Sequence, residues 1–131
     1  MSGNLNLTGI WQGLYSYPRA LAPVAFTATL LESGWLSGSI HEIAVGDDNL
    51  PVQVFATLLG RRQGWTVEFT KTYDGGKARW SHAVLYAGTL SEDATEIQGR
   101  WSIPNSWSGK FLMIRPEGAR AARLREAFEK A

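Results

Sequence analysis

The sequence predicts an all-β fold, an eight-stranded antiparallel up-and-down barrel with a short C-terminal α-helix. Fourteen glycines, together with Pro, Asn and Asp residues, interrupt the chain at short intervals, which is typical of strands joined by turns. Between these interruptions, bulky apolar residues alternate with polar or small ones, as in strands that bury one face. Eight such segments close most economically into a barrel without open edges, and a two-sheet sandwich is the alternative.

Eight extended segments follow one another along the chain. The turns Ser33–Gly34 and Gln63–Gly64 are so short that the segments on either side of each must be antiparallel. The predicted strands are Gly9–Tyr17, Val24–Glu32, Trp35–Val45, Val52–Arg61, Gly64–Tyr73, Trp80–Leu90, Thr95–Ile103 and Trp107–Arg115.

The first four segments each place their bulky residues on one face. This follows from the strand period, since successive side chains leave opposite sides of the backbone. The inward residues predicted on these segments are Trp11 and Tyr15; Val24, Phe26, Ala28 and Leu30; Leu36 and Ile40; and Val52, Val54, Ala56 and Leu58.

The last four segments show the same alternation, with one exception in the fifth. There Trp65, Val67 and Phe69 share a face with Lys71 and Tyr73, so a lysine stands where an apolar residue is expected. Lys71 therefore lies either at the rim of the core or inside the core, where it would have a functional role. The inward residues predicted on the last three segments are Trp80, Val84 and Tyr86; Ile97, Trp101 and Ile103; and Phe111 and Met113.

The chain is predicted to be one domain, with the barrel at about 7–115 and the helix at about 117–131. In the terminal segment Ala121, Leu124 and Phe128 recur at helical spacing, with arginines on the other side. Apolar residues also occupy many outward strand positions, which predicts that the barrel wall is partly covered by this helix or by another subunit. These outward residues are Leu14, Leu31, Ile43, Phe55, Leu59, Leu85, Leu112 and Ile114.

Composition and charge exclude several classes of protein. With 131 residues, 44% of them hydrophobic, the chain is long enough to bury a core of its own. Lys and Arg number 13 against 12 for Asp and Glu, a balance unlike that of nucleic-acid-binding domains. The absence of cysteine excludes disulfides and thiolate metal ligands. Neither a signal-peptide pattern nor a membrane-length apolar run is present, so we expect a cytoplasmic protein without a membrane or nucleic-acid partner.

Several strand signatures occur in a fixed order along the chain. They are Leu-Thr-Gly-Ile-Trp at 7–11, Leu-Ser-Gly-Ser at 36–39, Ala-Val-Gly at 44–46, Gly60, Gly-Trp-Thr-Val at 64–67, Tyr73, Tyr86 and Trp101. This collinear set resembles avidin and streptavidin, calycin-type barrels, over nearly the whole chain up to Arg115. The resemblance implies a barrel whose open end receives a small ligand, and subunits that associate through their outer walls as a homodimer or homotetramer.

Most residues with which the avidin family holds biotin are replaced in this chain. The resemblance implies that the polar contacts of the first, third and last strands fall on Gly13 and Tyr17, on Ile40 and Glu42, and near Gly109. A buried site that loses its polar partners loses recognition of its ligand. We therefore expect the barrel architecture without tight biotin binding.

The aromatic cage of the family is partly retained. Trp101 persists, Phe69 stands in place of the fifth-strand tryptophan, and the sixth-strand cage positions fall near Ala78, Trp80 and His82. The resemblance also makes Trp107, in the last hairpin, a candidate for a loop tryptophan lent to the neighbouring subunit. The alternative is that this tryptophan plugs its own barrel.

Polar side chains also fall on the inward face of the predicted barrel. Burying an unpaired charge is costly, so Glu42, Lys71 and His82 must pair with one another, or meet water or a ligand. The alternative is that Lys71 and Arg115 reach solvent from strand ends, that Glu42 pairs with one of them, and that His82 is a core histidine. The predicted ligand-binding residues are Tyr15, Tyr17, Glu42, Phe69, Lys71, Tyr73, Trp80, His82, Tyr86 and Trp101.

Three functions fit these residues. The first is a non-catalytic barrel that binds an unidentified small molecule in its interior, without a cofactor or metal. The second is a protein-interaction scaffold that uses the loops or the basic C-terminal helix, and the third is a small enzyme that uses Lys71, Glu42 and His82. We expect the first, because the sequence contains no nucleophile motif, phosphate-binding loop or metal-ligand spacing.

Overall fold

The computed structural model of the protein describes residues 6–17, 23–45, 48–74 and 83–115. Its eight strands are β1 (Gly9–Tyr15), β2 (Val24–Ser33), β3 (Trp35–Val45), β4 (Pro51–Gln63), β5 (Thr66–Tyr73), β6 (Ala83–Leu90), β7 (Glu96–Ser102) and β8 (Ser108–Ile114). Each strand pairs antiparallel with its sequence neighbours, and β1 also pairs with β8, which closes the barrel. The predicted up-and-down barrel is confirmed, and the sandwich alternative is wrong.

Two predicted features lie outside the described residues. They are the C-terminal helix at 117–131 and the start of the sixth strand, which carries Trp80 and His82. Within the described ranges every regular element is a strand, and no helix there is long and apolar enough to cross a membrane.

The β4–β5 hairpin turns one residue later than the sequence predicts. Gln63 still belongs to β4 and pairs with Thr66, so Gly64 and Trp65 form the turn. Gly64 has a φ of 61°, in the left-handed region that glycine adopts without a Cβ clash. The predicted inward position of Trp65 is therefore wrong, and its side chain is exposed in the turn.

The inward faces of the strands form one hydrophobic core. Apart from Trp65, every described residue of the predicted inward set lies in this core or packs against it. Leu7 and Ala94 belong to the core as well, although both lie outside the strands, where alternation carries no information. Packed at the edge of the core are Tyr17, Val24, Val52 and Ile103.

One end of the barrel is plugged by the residues that precede β1. Leu7 is fully buried and its carbonyl accepts a hydrogen bond of 2.9 Å from Trp11 Nε1. The Arg115 guanidinium lies 4.6 Å from the Trp11 ring centroid and donates to the carbonyl of Asn6. Glu32 accepts a further bond of 2.9 Å from the Leu7 amide. We call this the plugged end; Arg115 lies here and does not belong to the polar group described below.

The outer wall differs sharply from one side of the barrel to the other. Three outward residues that meet where β1 pairs with β8, Leu14, Leu112 and Ile114, are only 3%, 7% and 3% exposed. We call this group the seam patch. Other outward apolar residues are 43–59% exposed, namely Leu31, Ile43, Phe55, Leu59 and Leu85. Among the described residues, the outward apolar side chains are therefore buried at the seam and exposed on the opposite wall.

Candidate functional site

A buried carboxylate lies at the centre of the candidate site. Glu42 is inward on β3, where its register partners are the apolar Phe26 and Val54. It is 3% exposed, and its Oε2 accepts hydrogen bonds from the hydroxyls of Tyr15, at 2.7 Å, and Tyr73, at 3.3 Å. Such bonds to a charged acceptor are what makes a buried carboxylate tolerable.

The lysine that broke the alternation of the fifth strand completes this group. Lys71 is 1% exposed, and its Nζ donates to Glu42 Oε1 at 3.2 Å. The same Nζ lies 4.7 Å, 4.6 Å and 5.4 Å from the ring centroids of Tyr15, Tyr73 and Tyr86. Lys71 therefore does not reach solvent, and ring faces together with one carboxylate surround its charge. We call these five residues the Glu42–Lys71 group.

Burial shapes the protonation of this group. Desolvation, reinforced by the negative charge of Glu42, raises the pKa of the Tyr15 and Tyr73 hydroxyls far above the ordinary value, and burial raises that of Tyr86 as well. Desolvation lowers the pKa of Lys71, while the charge of Glu42 opposes this effect. The tyrosines therefore remain protonated, so Tyr15 and Tyr73 act as donors to Glu42.

Aromatic rings lead from this group toward the surface. The Tyr15 ring contacts those of Tyr17 and Trp101 edge to face, at 5.6 Å and 6.0 Å. Tyr17 in turn lies 5.7 Å from Trp101 and 5.6 Å from Trp107, again edge to face. Trp107 is 46% exposed and Tyr17 is half-buried. We call Tyr17, Trp101 and Trp107 the aromatic mouth, at the barrel end opposite the plugged end.

The mouth is held in place by the backbone that follows β1. Trp101 Nε1 donates a 2.8 Å hydrogen bond to the carbonyl of Ser16, and the Ser16 amide bonds to the carbonyl of Lys110. Within this chain Trp107 lies against its own Tyr17. The loops at 18–22, 46–47 and 75–82, which connect strands at this end, lie outside the described residues.

Large rings also fill the middle of the barrel. Phe69 stacks on Tyr86 at 4.7 Å with an interplanar angle of 12°, and Phe111 contacts Tyr86 at 4.9 Å. The Phe26 ring lies where a Cβ on Gly13 would stand, and the Trp101 indole crowds the same position on Gly109. Rings therefore cover Gly13 and Gly109, which are at or near two positions where the resemblance to avidin implies polar contacts with biotin.

The structure brings together most of the predicted site residues. Tyr15, Glu42, Lys71, Tyr73 and Tyr86 form one group through direct contacts, as described above. The rings of Tyr17 and Trp101 adjoin this group, and Phe69, the register partner of Tyr86, stacks on the Tyr86 ring. Trp80 and His82 lie outside the described residues.

One neighbour of the site was assigned only to the core by sequence reasoning. Phe26 contacts the Tyr15 ring at 6.1 Å and is the register partner of Glu42. The β2–β3 turn at Gly34 fixes this pairing, so counting back from Ser33–Gly34 reveals it. No comparable local signal links Glu42 to Lys71.

A shallow groove of about 720 Å³ crosses the outer wall. Leu59, Thr70, Leu85 and Ser102 lie in one register row of β4–β7 along it, and charged residues border it. Tyr86 of the Glu42–Lys71 group and Trp101 of the aromatic mouth are also among the residues that line this groove. Among the described residues, no three His, Asp or Glu side chains lie together as a metal site.

Comparison with known proteins identifies the fold. No protein-family model and no curated protein matches the chain. Among solved structures, a redesigned β-barrel is 15% identical with a TM-score of 0.61, covering 85% of this chain and 92% of its own. A second redesigned barrel, bound to DFHBI, is 13% identical with a TM-score of 0.59, covering 83% and 94%.

A third similar structure is a de novo designed fluorescence-activating β-barrel. It is 11% identical with a TM-score of 0.54, and the match covers 88% of this chain and 99% of the designed one. At such low identities the likeness concerns the fold alone, and membership of the avidin family is not shown. The chain is an eight-stranded antiparallel closed β-barrel.

Proposed function

We propose that the chain is a non-catalytic barrel that binds a small molecule between the aromatic mouth and the Glu42–Lys71 group. The observation that carries this proposal is a fully buried ion pair beside rings that reach the surface. A buried ion pair stabilises a fold less than apolar residues of the same size do. Its position beneath half-exposed rings therefore favours a role in binding.

The hydrogen bonding of the group favours binding over catalysis. Both oxygens of Glu42 already accept bonds, and the Lys71 ammonium is paired with one of them. A general base or an amine nucleophile needs a free lone pair facing its substrate. Glu42 already accepts three hydrogen bonds, and the charged Lys71 ammonium has no lone pair, so the enzyme alternative has weaker support.

Two further observations bear on the kind of ligand. The redesigned barrel that binds DFHBI supports the capacity of this fold to hold a small molecule. The rings over Gly13 and Gly109 support the expectation that biotin is not bound tightly, because the space for its polar partners is occupied.

Titration calorimetry with indole, a neutral flat ring, and with biotin as probes tests the proposal. We expect binding of indole, and no measurable binding of biotin. Tyr17→Ala and Trp107→Ala should each weaken indole binding, whereas Trp35→Ala is the control, since Trp35 is 64% exposed at the plugged end. An equal loss in the Trp35 variant, or tight binding of biotin, would contradict the proposed site.

We also propose that the chain self-associates through its outer wall as a homodimer or homotetramer. Support comes from the exposed apolar side chains of β2–β6, which include Leu59 and Leu85 of the outer groove. Leu59→Glu should shift sedimentation toward the monomer, and Thr66→Glu, exposed near the β4–β5 turn, should not. A wild-type monomer at micromolar concentration would overturn the proposal. The interaction-scaffold alternative, which uses the barrel loops or the basic helix predicted at 117–131, stays a prediction.

A further inference from the structure

The charges of the Glu42–Lys71 group cancel within the group itself. Glu42 Oε1 and Lys71 Nζ are 3.2 Å apart, and each side chain is only 2% exposed. Among the described residues these two are the buried charged side chains. The described part of the interior below the aromatic mouth therefore presents no net charge to a ligand.

The hydrogen bonds that Tyr15, Lys71 and Tyr73 donate are also accepted inside the group. The hydroxyls of Tyr15 and Tyr73 both point to Glu42, and their raised pKa values keep them protonated. The faces of the same rings are turned to Lys71. A charged ligand would have to replace one member of this arrangement, and the displaced member would remain buried without a partner.

The aromatic mouth offers a different kind of contact. Tyr17, Trp101 and Trp107 meet edge to face with interplanar angles of 82°, so their ring faces point in different directions. Tyr17 and Trp107 keep part of their surface exposed. A flat ring gains dispersion and edge-to-face contacts at such a place without needing a counter-charge.

We propose that the ligand of this site is an electrically neutral molecule with a flat ring, held by the aromatic mouth and not by ion pairing with Glu42 or Lys71. This inference rests on the proposed ligand-binding function. It excludes zwitterions, anions and cations of similar shape, because each would lose hydration and find its complementary charge already paired.

A set of four probes with a common ring separates charge from shape. Indole is neutral, tryptamine is a cation, indole carboxylate is an anion and tryptophan is a zwitterion at neutral pH. Calorimetry on the full chain should find indole bound most tightly, by at least about tenfold over each charged probe. Tyr17→Ala should weaken the binding of indole, which locates the probe at the mouth.

Two variants test whether the paired charges set this order. Glu42→Gln leaves the Lys71 ammonium without its counter-ion, so indole carboxylate should overtake indole, and more so at lower pH. The double variant E42Q/K71M carries neither charge and should keep the wild-type order. Circular dichroism of each variant establishes that the barrel is intact, and the wild-type series alone decides the question if a variant fails to fold.

The outcomes distinguish failure of ligand binding from a wrong assignment of the ligand's charge. If none of the four probes binds, the proposed ligand-binding function fails for molecules of this size, and the inference fails with it. If tryptophan or either ion binds more tightly than indole to the wild-type chain, the site exists and the inference about charge is wrong. Indole bound first, with the order reversed in Glu42→Gln, supports both.

Discussion

The Glu42–Lys71 ion pair decides the chemistry of this barrel at the residue scale. Lys71 lies opposite Leu58 and Val84 in the sheet, so neither of its register partners offers a polar side chain. Its compensation comes from Glu42, two strands away, and from tyrosine ring faces. Removing one charge should therefore cost much more than removing both, since the remaining charge would be buried alone.

Lys71→Met should lower the free energy of unfolding by about 3 to 5 kcal/mol, whereas E42Q/K71M should recover most of that loss. The measurement is urea unfolding followed by circular dichroism. The matched control is Arg61→Met, because Arg61 and Glu68 form an exposed pair at 4.0 Å that should contribute under about 1 kcal/mol. Equal losses for Lys71→Met and Arg61→Met would contradict the buried pair.

The buried tyrosines predict a loss of stability in alkali. Their pKa values are raised in the folded chain, so only the unfolded chain releases their protons just above pH 10. The folded state then binds more protons, and stability falls as pH rises. Lys71 acts in the opposite sense. Its pKa is lowered in the folded chain, so the folded chain loses this proton before the unfolded chain does, and stability rises with pH until the unfolded lysine also loses its proton near 10.5.

Urea unfolding between about pH 9 and about pH 11 measures this balance. We expect the free energy of unfolding to decline steeply above about pH 10.5, and tyrosinate absorbance from the buried rings to appear together with unfolding. Tyr86→Phe removes one of the three groups and should make the decline shallower. A flat profile to about pH 11 would show that these rings ionise in the folded chain.

Sequence alternation was sufficient to place Lys71 and Glu42 on the inward face. It could not identify them as partners, because that requires the register of β3 on β4 and of β4 on β5 at once. Alternation also misplaced Trp65. The alternating pattern in the sequence continues through Trp65, whereas in the structure Gly64 and Trp65 form the turn between β4 and β5. Residue-scale errors thus arose where backbone conformation overrides the side-chain pattern.

At the scale of secondary-structure elements, the packing of β1 against β2 depends on a glycine that lies opposite an aromatic ring. Gly13 of β1 pairs with Phe26 of β2, and the Phe26 ring occupies the space above the glycine. This close approach lets the ring reach Tyr15 of the site. The β1–β2 pairing therefore depends on the absence of a side chain at Gly13.

Gly13→Ala should destabilise the barrel by about 1 to 3 kcal/mol, because the new methyl group would overpack the core against Phe26. Adding Phe26→Leu should remove part of that cost, so the double variant should lose less than the two single variants summed. Thermal unfolding of the four chains measures the coupling. Strict additivity would mean that the ring moves aside freely.

Strand identities were predictable because each run of alternation is bounded by turn residues. Strand ends were less so: β1 stops at Tyr15 rather than Tyr17, and β4 extends to Gln63. β1 ends where its pairing with β2 ends, at Tyr15 and Val24, although the Ser16 amide still bonds to the Lys110 carbonyl of β8. Local periodicity does not record such contacts.

The seam patch is the main feature of the outer wall at the scale of the whole molecule. Leu14, Leu112 and Ile114 are buried although alternation directs them outward. The terminal helix predicted at 117–131 is the cover that the sequence suggests for this face. The residues predicted on the apolar face of that helix are Ala121, Leu124 and Phe128.

Truncation after Gly118 should therefore lower the free energy of unfolding and increase binding of an apolar dye. Leu124→Ser with Phe128→Ser should reproduce both effects, whereas Arg120→Ser with Arg125→Ser, on the basic side, should reproduce neither. Unfolding curves and dye fluorescence give the two readouts. An unchanged dye signal in the truncated chain would assign the cover of the seam to another part of the protein.

Barrel closure itself could be predicted only from the general argument that a closed barrel leaves no unpaired strand edge. Alternation shows that each strand has one apolar face, which a sandwich satisfies as well as a barrel. The deciding interaction is the pairing of Gln12–Tyr15 with Phe111–Ile114, and these segments lie at opposite ends of the described sequence. The ligand of the aromatic mouth cannot be identified from the sequence either, because its recognition depends on the orientations of rings that belong to several strands.

The long-range pairing of β1 with β8 has a consequence for how the molecule forms and opens. All other strand pairs join sequence neighbours, so hairpins assemble early, and the seam bears the loop-closure entropy of nearly the whole chain. Amide hydrogen exchange should be fastest along Leu14 and Leu112 and slowest in β3 and β4. A barrel that unzips at the seam passes through an open sheet with two bare edges, the form most exposed to aggregation.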